Sequence, residues 1–134
     1  MAYAVLPDML QGLIDFLAPH PAIAALHGGR VATKLQSDLA SVRVTSLGGP
    51  QSWPWEASPQ YQIEWWGARA DEDEGPALTL CRTGEAALWE LANSPVTGGW
   101  ISEFFMPLSQ LWSPDEETGR PRFRTDVALT IRPA

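Results

Sequence analysis

Apolar positions along the chain follow two periods, which separate the predicted helices from the predicted strands. Over residues 77–92 small and aliphatic side chains recur every three or four positions, the spacing of an amphipathic helix. Arg82, Glu85 and Glu90 fall outside this stripe. Because several of its side chains are small, the stripe predicts close packing of the helix on a sheet. Its members are Ala77, Leu80, Cys81, Gly84, Ala87, Leu88 and Leu91.

A first helix is predicted over residues 6–17, where leucine and isoleucine side chains share one face and Pro7 lies near the start. A short helical turn follows over residues 22–26. His20 lies between two prolines and His27 precedes two glycines, so both are predicted to be exposed turn residues without a chemical role.

Alternation with a period of two predicts five strands, over residues 31–35, 42–47, 60–68, 100–108 and 122–132. The last strand alternates most cleanly and should have one dry and one wet face. The sequence therefore predicts a single α+β domain over residues 1–134. Its sheet should be mostly antiparallel, with about four to five strands and two helices packed on one face.

Residues 48–59 are predicted to form a long loop, because they hold two glycines and three prolines. Long ordered loops in small domains are frequently functional. This one carries Trp53 and Trp55, so we interpret it as a contact surface.

The charge balance changes the expected partners. The chain of 134 residues has 16 acidic and 9 basic residues, a formal net charge of -7, which disfavours a groove that neutralises nucleic-acid phosphates. Four acids form one tract ahead of Gly75 and Pro76. The tract is either a solvated turn that starts the helix or a surface that repels an anion such as DNA. Its members are Asp71, Glu72, Asp73 and Glu74.

Composition and motifs predict no catalytic, metal or cofactor site. One cysteine and two histidines cannot supply four zinc ligands, and the glycine pairs lack the ending of a phosphate loop. No Gly-x-Ser-x-Gly elbow occurs, and Cys81 belongs to the helix stripe. No apolar run reaches the length of a membrane span, and the N-terminus lacks the pattern of a secretory signal. We expect a soluble protein, not an enzyme, made in the cytoplasm.

Seven tryptophans are the unusual count in this composition. Trp65 and Trp66 place indoles on both faces of one strand, so one of them must be covered by a loop, a partner subunit or a ligand. Tryptophan is enriched at interface hot spots. The candidates for subunit contacts are Trp53, Trp55, Trp66 and Trp112. Stacking on a sugar or a peptide is the competing use of the same side chains.

The order of these segments resembles one family of viral proteins. The matching features are the opening helix, the segment Pro-Ala-Ile-Ala-Ala-Leu-His-Gly-Gly-Arg-Val, a strand with an acidic turn, the long helix and the closing strand. They lie at residues 10–17, 21–31, 61–67, 77–92 and 123–131. In order and character the chain resembles the phage tail terminator family. More broadly, it resembles the small neck and tail-completion proteins of siphophages that infect actinobacteria.

This resemblance implies a structural virion protein of α+β fold with no catalytic residues. Its subunits would form a hexameric ring that caps the tail tube protein and docks to the head–tail connector proteins, while DNA passes through without specific binding. The tract Asp71 to Glu74 would then face the lumen. The alternatives are another neck protein, such as a head–tail adaptor or stopper, and a small tryptophan-based module that binds a sugar or peptide.

Overall fold

The predicted α+β class is confirmed, but the sheet is larger than predicted. The computed structural model describes residues 6–35, 37–52 and 56–133. Its helices are α1 (Met9–Leu17), α2 (Ala24–His27) and α3 (Gly75–Leu88), and α3 continues into a 3₁₀ turn, Trp89–Leu91. The strands are β1 (Val31–Ala32), β2 (Ser41–Gly48), β3 (Gln51–Ser52), β4 (Glu56–Ala57), β5 (Gln60–Trp66), β6 (Ser94–Val96), β7 (Gly99–Trp112) and β8 (Arg122–Pro133).

Helix α1 begins three residues later than the predicted residue 6, because Asp8 caps it. The Asp8 carboxylate accepts hydrogen bonds from the backbone N–H groups of Leu10 and Gln11, at 3.1 and 3.2 Å. Pro7 therefore lies ahead of the cap. The helix buries Met9, Leu13 and Leu17.

Helix α3 packs on the sheet through the small-residue stripe, as predicted. A Cβ atom at Gly84 would overlap the indole ring of Trp65, so glycine is what lets the helix approach this side chain. Trp65 itself is fully buried. The prediction was wrong for Glu85. This residue was placed outside the buried stripe, but it is buried in the structure.

Within the described ranges, the sheet has eight strands in the order β1-β2-β5-β8-β4-β3, with β7 on the other side of β8 and β6 beyond it. The prediction of four to five strands was too small because β3, β4 and β6 are only two or three residues long, too short for periodicity. Residues 48–59 are therefore not only a loop. The pair β1–β2 is parallel, and the other strand pairs are antiparallel.

Strand β7 extends four residues beyond its predicted end at residue 108. Its register with β8 shifts three times between Ile101 and Leu111, and Gln110 adopts a φ of 51°. Each shift breaks the alternation of side chains along the strand. The alternation in the sequence therefore ends before the strand itself does.

One face of the sheet forms the core with α1 and α3, whose buried side chains belong to the same cluster as Val44, Ile63 and Val127. The other face is polar at its centre. There Arg43, Glu64 and Arg124 lie side by side on β2, β5 and β8. Helices α1 and α3 therefore share one face, and with α2 the described residues hold three α-helices where two were predicted.

Candidate subunit interface

The free edge of β7 is the most exposed apolar part of the sheet. Strand β8 pairs along one side, whereas β6 covers the other side only from Gly99 to Ile101. Beyond this point no strand in the described part of the chain pairs with that side. The exposed fractions of Phe105, Leu111 and Trp112 are 52%, 42% and 43%. Free strand edges and exposed apolar patches are typical of association surfaces.

More aromatic surface lies beside this edge. Trp89, just after α3, is half exposed and packs edge-on against Phe104 with ring centroids 4.9 Å apart. Trp100, at the start of β7, is also exposed. Trp89 was not among the residues predicted for subunit contacts, although its place outside the apolar stripe and next to Glu90 is a sign of exposure.

A buried carboxylate holds the irregular part of β7 in place. Glu85 on α3 accepts hydrogen bonds from the Gln110 backbone N–H at 3.0 Å and the Ser109 hydroxyl at 2.7 Å. It also accepts one from the Thr125 hydroxyl at 2.5 Å. The Thr125 oxygen in turn accepts the indole N–H of Trp65 at 2.8 Å. The bulge at Gln110 is thereby fixed, and with it the backbone that presents Leu111 and Trp112.

Cys81 is part of this buried network and has no reactive character. Its sulfur lies 3.7 Å from a Glu85 carboxylate oxygen. Burial, together with the neighbouring Glu85, raises the pKa of the thiol to about 12, so the thiolate that would act as a nucleophile does not form at neutral pH.

The four tryptophans named from the sequence do not lie together. Trp112 is on the free edge of β7. Trp66 is only 5% exposed, because the guanidinium carbons of Arg120 and Arg122 lie 5.1 and 4.9 Å from its ring centroid. Its own chain therefore covers Trp66, which leaves little of it for a neighbouring subunit. Trp53 and Trp55 lie outside the described residues.

Arg120 lies beside Trp66 and binds three backbone carbonyl groups at this end of the sheet. Its guanidinium donates to the carbonyl oxygens of Gly67, Ser37 and Leu39 at 2.6, 2.8 and 2.7 Å. Burial lowers the pKa of this guanidinium. A cavity of about 350 Å³ beside it is lined by charges of both signs, including Arg69 and Asp38, so its walls favour no single ligand charge.

The acidic tract remains largely in solvent, and two of its members stabilise the turn. The Asp71 carboxylate accepts the Ala68 N–H at 2.9 Å, and that of Asp73 accepts the Gly75 N–H at 2.9 Å. Glu72 and Glu74 are exposed. A turn that starts the helix explains two of the four carboxylates, and the tract as a whole presents negative charge to solvent.

The prediction that His27 is an exposed turn residue was wrong. The ring is fully buried, with Nε2 at 2.9 Å from the Leu17 carbonyl oxygen and Nδ1 at 2.9 Å from the Gly29 N–H. One nitrogen must donate and the other accept, so the ring is neutral, and burial lowers its pKa. His20 is half-buried, with Nε2 at 2.7 Å from the Glu90 carboxylate.

Among the described residues, no cluster of three or more histidine, cysteine or acidic side chains is placed to hold a metal ion. The helices found in those same ranges are too short or too polar to cross a bilayer. No family model matches this chain, and no curated protein matches its sequence.

Proposed function

We propose that this chain is a structural virion protein, a tail terminator whose subunits form a ring on the end of the tail tube and join it to the head connector. The free edge of β7 carries the proposal. It combines exposed apolar side chains with a backbone that Glu85 fixes from beneath. A rigid apolar edge loses little conformational freedom on association, and this favours assembly.

The charge of the chain supports the same proposal. A ring through which DNA passes should not bind it, and acidic side chains facing the lumen lower the affinity for DNA by repulsion. The net charge of -7 and the exposed carboxylates at Glu72, Asp73 and Glu74 fit this requirement. The ring would reside in the virion, at the neck of a phage assembled in the host cytoplasm.

Two other roles follow from the same sequence with less support. A head–tail adaptor or stopper would use a similar ring and would differ in the end of the assembly that it contacts. A sugar or peptide module based on Trp66 is weakened because Arg120 and Arg122 already cover that ring.

Native mass spectrometry and negative-stain electron microscopy of the concentrated protein test the proposal. We expect closed rings of six that also decorate one end of purified tail tubes. Decoration of the head connector alone would favour the adaptor or stopper role. A monomer that binds neither assembly would overturn the proposal.

The lumen assignment has its own test, the replacement of Asp71, Glu72, Asp73 and Glu74 by lysine. We expect rings that still form but an infectivity that falls by an order of magnitude or more, because basic side chains would retain the passing DNA. The control is Glu116→Lys with Glu117→Lys, in an exposed acidic turn elsewhere. Equal infectivity of the two variants would count against a lumen-facing tract.

A further inference from the structure

We infer that copies of this chain associate head to tail, with the free edge of β7 in one copy docking on the β1–β2 edge of the next. This inference rests on the proposed function, because it names the surfaces that would build the ring. It commits to a second copy of the same chain as the partner.

The first observation is that the sheet has two open ends. At the end opposite β7, β1 pairs with β2 only at Val42 and Arg43. Within the described ranges, the following residues of β2 have no strand on that side. Leu47 lies there with an exposed fraction of 46%. Each copy therefore offers an open edge with exposed apolar side chains at both ends of one sheet.

The second observation is that the two edges differ in charge. The exposed acid Glu103 lies on β7, beyond the part that β6 covers. Basic side chains accompany the other edge, where Lys34 is exposed and Arg30 is half-buried. Opposite charges favour contact between unlike edges.

The same charges disfavour the symmetric alternative. Two β7 edges placed against each other would bring acidic groups of both copies to one interface, which opposes that pairing. A contact between unlike edges leaves one free edge of each kind on the growing assembly. Such a heterologous contact closes into a ring when the rotation that relates neighbouring copies divides a full turn, and it otherwise gives an open filament.

Two variants with complementary defects test the inference by native mass spectrometry. One replaces Phe105 and Leu111 with asparagine on the β7 edge. The other carries Lys34→Gln and Leu47→Asn on the β1–β2 edge. All four side chains are exposed, and circular dichroism checks that each variant remains folded. The control is Leu26→Asn, at an exposed position on α2. This variant should assemble with the same number of copies as the wild type.

We expect each double variant to be a monomer on its own and the equimolar mixture to form a 1:1 heterodimer and nothing larger, since each brings one intact edge. Self-association of the Lys34→Gln and Leu47→Asn variant would indicate a symmetric β7 contact and overturn the inference. A mixture that stays monomeric, or a wild-type chain that is monomeric at high concentration, would also overturn it. Binding to tail tubes is measured separately, so a heterodimer from proteins that ignore the tubes would overturn only the proposed function.

Discussion

Two buried carboxylates on opposite faces of the sheet are stabilised in different ways. Glu64, on the polar face, lies between the guanidinium groups of Arg43 and Arg122 at 3.3 and 3.1 Å. Glu85, on the helix side, is bound by hydroxyl and backbone donors, including those of Ser109 and Gln110. Burying a charge is costly unless it is paired or well hydrogen-bonded. Glu64 meets this requirement with charges and ties three regular strands together, whereas Glu85 does so with neutral donors and thereby fixes an irregular strand.

Replacing Glu85 should break this comparison most strongly. Glu85→Leu leaves the donors of Ser109, Gln110 and Thr125 without their acceptor, so the free energy of unfolding should fall by about 3 kcal/mol. Amide hydrogen exchange should also accelerate at Gln110 and Leu111. Urea denaturation measures the first effect, and Glu85→Gln, which keeps the shape and one acceptor oxygen, should lose less. Unchanged exchange in β7 would contradict the support that we assign to Glu85.

Glu64→Leu should cost less, about 2 kcal/mol, although it removes two ion pairs. The reason is that the side chains of Arg43 and Arg122 are 41% and 21% exposed, so both guanidinium groups recover contact with water. Urea denaturation measures the loss, and the exposed Glu117→Gln is the matched control. If Glu64→Leu destabilises the protein more than Glu85→Leu, the comparison has the wrong order.

His27 sharpens the comparison because it is buried without charge. Its folded-state pKa is lowered while that of the unfolded chain is near 6.5, so the unfolded state binds more protons between these two values. The stability that depends on neutral His27 is fully present above pH 6.5. It falls as the pH drops towards the folded-state pKa, by at most about 1.4 kcal/mol per pH unit.

Urea midpoints between pH 7.5 and 5 measure this effect. We expect His27→Gln to flatten the profile, since glutamine takes no proton in this range. An identical pH dependence in both proteins would show that another group is responsible.

Regular elements followed from the sequence because their contacts repeat. Strands β5 and β8 pair in continuous register from Gln60 to Trp66, so alternation along the chain is enough to recognise them. The end of β7 depends on Glu85, 25 residues earlier in the chain. No local pattern announces that such a carboxylate will stabilise a bulge.

Residues of the candidate interface could be predicted from the sequence only where the residue type alone favours a subunit contact. Trp112 was selected as a tryptophan, and it lies on the free edge, while its role in a subunit contact stays a prediction. Phe105 could not be assigned to a face from the sequence, because the register shift after it breaks the alternation. The covering of Trp66 by Arg120 was equally hidden, since nothing local shows that an arginine from a turn returns to the sheet.

The central place of β8 has a consequence for how the protein is made. Strand β8 pairs with β5 and β4 on one side and with β7 on the other, and it comes after the other seven described strands in the sequence. A nascent chain on the ribosome therefore carries three groups of strands, β1-β2-β5, β3-β4 and β6-β7, that cannot join until residues 122–133 have emerged. Until then it exposes the unfilled sides of β5 and β7, the kind of surface that chaperones shield. Closure of the core thus waits for the synthesis of β8.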